Sequence, residues 1–207
     1  MKTLKESILN RNSHGAKGFE AQRREMIEKW LKKYNIEKYT INDDFTIDVD
    51  GFVLLDKENL KEFPEYIQFG IVKGSFYCSM NNLTSLRGCP REVEKSFYCT
   101  HNKLTSLIGA PEKVGEYFDC TANNLTSLVG SPREIGGLFN CNYNKLTSLE
   151  GAPRKVGNDF YCRANNLTSL VGSPREVRGG FDCRNNSTQF TEDDVKKVCC
   201  VGRRIIV

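Results

Sequence analysis

Histidine is the scarcest chemistry-bearing residue in this chain: there are two, His14 and His101, in separate regions. Acid–base and nucleophilic catalysis most often place a histidine beside a second polar group, and no Cys/His or Ser/His pair is indicated by position here. No Cys-x-x-Cys occurs, which removes the usual zinc frame. The glycines recur at turns and form no phosphate loop. No apolar run approaches the roughly 20 residues that span a bilayer. The opening Met1-Lys2-Thr3-Leu4-Lys5-Glu6-Ser7-Ile8-Leu9 lacks the apolar stretch of a secretion signal. These absences predict a cytoplasmic protein that is not an enzyme and uses no cofactor and no metal. An excess of charge of one sign is lacking too, since the net charge is only +4. Its distribution is uneven. Residues 1–40 carry ten Lys/Arg against five Asp/Glu, and residues 41–73 carry three against eight. A basic head followed by an acidic collar, with so small a total, argues against strong nucleic-acid binding.

What the chain has in abundance is repetition. A 21-residue unit recurs five times between Phe76 and Arg184 without insertion or deletion. Its markers are Cys78, Cys99, Cys120, Cys141, Cys162 and Cys183; Asn81, Asn102, Asn123, Asn144, Asn165 and Asn186; and Pro90, Pro111, Pro132, Pro153 and Pro174. A fixed period of this length predicts a solenoid, in which each unit buries its apolar face only against its neighbours. The chain divides into an N-terminal helical cap (1–40), degenerate first repeats (41–75), regular repeats (76–187) and a C-terminal cap (188–207).

Within one copy, Phe97 and Cys99 sit two apart, as inward residues of a strand do, with Tyr98 on the other face. Leu104 and Leu107 form a second apolar pair, and Gly109 and Pro111 turn the chain back at Val114. This predicts one strand per turn, stacked in parallel about 4.8 Å apart. Of the nine cysteines, six fall on the inward column and read as small buried hydrophobes. The recurring Asn reads as an internal ladder that bonds backbone groups where strand pairing stops.

The pattern Phe-x-Cys-x-x-Asn-x-Leu-x-x-Leu resembles the leucine-rich-repeat signature, with Phe replacing the first Leu and Cys standing where Leu or Val is usual. The tail Leu-Thr-Ser-Leu-x-Gly-x-Pro is similar to the short repeats of bacterial effectors and to Cys-containing repeats of gut bacteria and their phages. It departs from the effector form in carrying Gly-x-Pro where those have Pro-x-Leu-Pro. The resemblance spans roughly residues 45–190. It implies a mostly β fold with helical caps: a leucine-rich-repeat solenoid with one parallel sheet on its concave face, bacterial or phage in setting. Some similar effectors carry a ubiquitin-ligase domain, and no length remains here for one.

Phe19, Met26, Ile27, Trp30, Leu31 and Tyr34 fall on one stripe and predict a capping helix over about residues 17–35, after a helical turn at 3–9 and a polar loop at 10–18. Arg23, Arg24, Lys29, Lys32 and Lys33 occupy its other face. Asp43, Asp44, Asp48 and Asp50 lack the spacing of a calcium loop and read as turn formers. Thr191 is placed to cap a short helix running to about Cys200.

In such a sheet, outward positions are supported by the backbone yet free of packing duties. The column between Phe and Cys reads Tyr77, Tyr98, Asp119, Asn140, Tyr161 and Asp182. With neighbouring columns it assembles Tyr77, Tyr98, Tyr117, Tyr143, Tyr161, Arg163 and Arg184, a composition enriched at protein interfaces. The reading that follows is a protein-binding module of unidentified partner. Alternatives are nucleic-acid or anionic-surface binding by the basic N-terminal helix, and a structural subunit of a larger assembly.

Overall fold

The computed structural model describes residues 4–207, with side chains described from Gly18 onward. It is a mostly β solenoid of parallel strands with two helices. Two sheets run along it rather than the single sheet expected, one of nine strands and one of eight. In the turn that begins at Lys113, the Lys113–Val114 strand lies in the first sheet and the Phe118–Asp119 strand in the second. Each pairs in register with its counterpart one unit along, as Val93 with Val114 and Phe97 with Phe118.

The second sheet has a simple cause. A strand running unbroken from Val93 to Cys99 would, by period two, turn Lys95 inward with Val93, Phe97 and Cys99. The same parity would bury Glu116 one turn later. A three-residue corner avoids this: Val93 and Phe97 are buried, while Lys95 and Glu116 remain outside and pair with each other at 2.9 Å.

Three apolar sets fill the interior. Val93, Val114, Ile135, Val156 and Val177 come from the first sheet, and Leu pairs such as Leu104 and Leu107 come from the return segment. The Phe–Cys column comes from the second sheet and is closed to solvent. Phe76, Phe97, Phe118, Phe139 and Phe160 stack at centroid distances of 5.2–5.7 Å, and Phe181 continues the row at 5.1 Å. Burying each such ring stabilises the fold by about 1.5–3 kcal/mol.

Rung-to-rung backbone pairing runs two residues past the cysteine, as in the His101 N–H bond to the Thr121 carbonyl, and there the asparagine takes over. Asn123 accepts the Leu104 N–H on Oδ1 at 3.0 Å and donates from Nδ2 to the carbonyls of Cys99 (3.0 Å) and Cys120 (3.1 Å). One amide thus ties two turns together. Asn102, Asn144 and Asn165 repeat the arrangement. The residue before each Asn lies in the left-handed region, at φ 53–56° from Met80 to Asn185. The return then closes through a turn in which Ala110 N–H bonds the Leu107 carbonyl and Gly109 has φ +89°. A Cβ at the equivalent Gly130 would sit 2.4 Å from the Leu107 backbone of the preceding turn, so only glycine permits this close stacking.

The ends differ from expectation in length. The N-terminal helix, α1, runs through Leu4–Lys33 rather than 17–35, so the polar loop at 10–18 is helical. Residues 1–3, and the side chains up to Lys17 including His14, lie outside the described residues. Ile27, Trp30 and Leu31 are buried over the first turn, with Trp30 6.1 Å from both Phe63 and Phe69. Phe19 and Met26, assigned to the same stripe, are exposed. Asp44 forms the expected turn, accepting from the Thr46 N–H and hydroxyl, whereas Asp48 is not a turn former: it lies within the Ile47–Val49 strand and accepts the Ile71 N–H of the neighbouring strand. At the far end α2 (Glu192–Val198) carries a Thr191–Asp194 capping box. It replaces one return segment, and Cys200–Val201 and Ile205–Ile206 then add one more strand to each sheet.

All nine cysteines are free thiols, and only Cys200 is exposed. Burial pushes the thiols of Cys120, Cys141 and Cys162 well above their ordinary range, and those of Cys183 and Cys199 up to about 12. The unfolded chain ionises near pH 8.5, so the stabilisation from keeping these thiols neutral is complete below that pH. It is lost as pH rises toward the folded values. Melting temperature is therefore expected to fall steadily above about pH 8.5, and an aromatic disulfide reagent should titrate one fast thiol in the native protein and nine after denaturation. Several fast thiols would contradict the buried column. Asn123→Ala should lower stability by about 1–3 kcal/mol, because the Leu104 N–H loses its partner inside the fold; a circular-dichroism melt superimposable on the parent's would reduce the ladder to turn chemistry.

Candidate interaction surface

The outward side of the second sheet carries the tyrosines, since alternation sends Tyr98 out wherever Phe97 and Cys99 go in. The structure resolves the seven residues singled out there into separate groups. Tyr77 and Tyr98 occupy adjacent rungs with rings 5.0 Å apart and nearly parallel at 7°. Tyr117 stands at the corner before the strand, 44% exposed. Tyr143 occupies the left-handed position before Asn144, which thrusts its ring outward to 52% exposure. The Arg163 guanidinium lies over that ring at 5.4 Å and donates to its hydroxyl at 3.1 Å.

Tyr161 does not join the Tyr77–Tyr98 stack. Its hydroxyl donates to Asp159 at 2.8 Å; burial, then this carboxylate, raises its pKa. Arg184 is also engaged, holding the nearly buried Asp182 at 2.7 and 3.0 Å. Burial alone would push the Asp182 carboxyl up, but the bonds from Arg184 outweigh it and hold the group below the ordinary range. Between the two ends, Asn140 donates to Asp119 at 3.3 Å. The face is thus an aromatic pair at one end, a polar middle, and a Tyr/Arg/Asp group at the other. Arg163 keeps one buried donor, Nε, without a partner.

The first sheet presents a different exterior, which sequence reasoning missed because Val114 was taken only as the start of the Phe strand. Its outward column reads Glu92, Lys113, Glu134, Lys155 and Glu176, with sign reversing at each rung. Lys113 meets Glu92 at 3.2 Å and Lys155 meets Glu134 at 3.9 Å. The alternation is visible in the sequence once that strand is recognised. A groove of about 870 Å³ lies where the 42–46 turn approaches the Gly88 and Gly109 turns, and one of about 960 Å³ adjoins it along Lys113, Pro132 and Glu134.

The basic face of α1 is less available than its sequence implied. Arg24 donates to the carbonyls of Ile41 and Asn42, and the Arg23 guanidinium covers the Phe45 ring at 4.3 Å. Lys29 pairs with Glu25 at 2.7 Å. Among the described residues no three His, Cys, Asp or Glu side chains are grouped to hold a metal ion, and no helix is long and apolar enough to cross a membrane. Comparison of the chain with protein-family models, curated proteins and solved structures finds no match in any of the three.

Proposed function

We propose that this is a non-enzymatic interaction module of leucine-rich-repeat type, which binds another protein through the outward face of its second sheet used as a concave recognition surface. The observation that carries the reading is the exposed tyrosine on a stiff frame. Tyr117 and Tyr143 stand out from a backbone whose strands are paired on both sides, so little freedom is lost when a partner docks. Tyrosine and arginine dominate interface energetics, and Arg163 is fixed beside Tyr143, its guanidinium over the ring and bonded to the hydroxyl. A bacterial or phage setting follows from the repeat resemblance alone, and a cytoplasmic one from the opening sequence's lack of a secretion signal.

A second reading, assembly into a larger structure, is favoured by the Val53–Leu54 strand. It ends the second sheet with one edge unpaired, and Phe52 and Leu54 beside it are 66% and 53% exposed.

Affinity capture from a native lysate with the parent and a Tyr98→Ala/Tyr143→Ala variant tests the first reading. The parent should retain a partner that the variant loses at least tenfold; equal recovery would remove the tyrosine face from consideration. Light scattering after size exclusion tests the second, which requires a species larger than one chain.

A further inference from the structure

The outermost column at the start of the first-sheet strands reads Arg91, Glu112, Arg133, Arg154 and Arg175, and after Glu112 it breaks the charge rule kept beside it. Arg133, Arg154 and Arg175 lie on three successive rungs, as the bonds from Arg154 N–H to the Arg133 carbonyl (2.7 Å) and from Arg175 N–H to the Arg154 carbonyl (2.9 Å) establish. All three side chains are exposed, and among the described residues none meets a carboxylate within 4.0 Å. The flanking acids are directed elsewhere. Glu134 faces Lys155 at 3.9 Å and Glu176 accepts from Arg178 at 3.1 Å.

Like charges one rung apart repel, and the neighbouring column removes that repulsion by alternating Glu with Lys. Three unmatched arginines in single file, one residue wide, fit a linear polyanion better than a planar one. No aromatic side chain stands in that column, so contact is to the backbone rather than to stacked bases. Guanidinium groups bond phosphate oxygens in bidentate fashion.

We infer a second interaction surface, in which Arg133, Arg154 and Arg175 grip the phosphodiester backbone of a nucleic-acid strand without reading its sequence. It is independent of the tyrosine face, and it moves the basic contact from α1, where Arg23 and Arg24 are engaged within the chain, to the solenoid wall. A net charge of +4 conceals such a column because the acidic turn near the N-terminus offsets it.

Fluorescence anisotropy with a labelled DNA duplex and a labelled single strand, each over a salt series, provides the test. The parent should bind with a Kd on the order of 10⁻⁵ M and lose affinity with log[salt] at a slope of about −0.9 per phosphate contacted on the duplex and about −0.7 on the single strand. R133Q/R154Q/R175Q should lose affinity about tenfold or more and reduce that slope by roughly 2–3. R133K/R154K/R175K, which keeps the charge, should recover most of the binding, and the α1 variant K29Q/K32Q should match the parent. The inference is overturned by a parent that binds neither probe at low salt, by a glutamine variant that binds like the parent, or by loss confined to the α1 variant. Binding to anionic phospholipid vesicles with none to either nucleic acid also overturns it.

Discussion

In-register parallel stacking sets each residue of this protein on its counterpart in the turn before, about 4.8 Å away. That geometry rewards side chains that attract their own kind and penalises those that repel. Phenylalanine rings fill the interior as a continuous stack. Asparagine amides, carrying both donors and acceptors, bridge from turn to turn. Cysteine is small and apolar enough to lie buried in file as an uncharged thiol. Where ionised groups must lie over one another on the first sheet, their sign alternates instead.

The same constraint explains where the backbone departs from ordinary geometry. A left-handed residue before each ladder Asn swings the chain out of the second sheet and aims the Asn side chain back at the turn before. For a non-glycine residue this conformation costs on the order of 1 kcal/mol, offset by the hydrogen bonds that the Asn then makes. Tyr143 shows how this detail reaches the surface. Its left-handed backbone carries the ring away from the sheet and onto Arg163, producing the most exposed tyrosine of the candidate face.

Two exteriors with different character result. The first-sheet column pairs Glu92 with Lys113 and Glu134 with Lys155, and its fifth member Glu176 with Arg178, so it has little to offer a partner beyond the arginine column beside it. The second-sheet face changes composition from rung to rung while the Phe and Cys beneath it stay constant. Structural stacking accounts for the constant columns. It leaves the variable ones to be explained by what they contact.

Much of this was legible in the chain itself. The unbroken 21-residue spacing determined a parallel solenoid, the two-residue offset of Phe97 and Cys99 put one inside with the other, and the Asn position marked where pairing ends. Local turn chemistry was equally readable: Asp44, Thr191 and Gly109 perform the roles their types predict. The first sheet was not, because a two-residue segment such as Lys113–Val114 carries no periodicity of its own and becomes a strand only when its counterparts lie alongside. The extent of α1 escaped for a related reason, since Gly15 and Gly18 weaken local helix preference without forbidding it. Tertiary structure alone also decided which tyrosines are available. Tyr77 and Tyr98 are drawn together, Tyr161 is tied to Asp159, Tyr143 is exposed but holds Arg163, and Tyr117 is exposed at the corner. Spacing along the chain determines the side of a sheet on which a residue emerges, whereas its neighbours in space determine whether its polar atoms are already engaged.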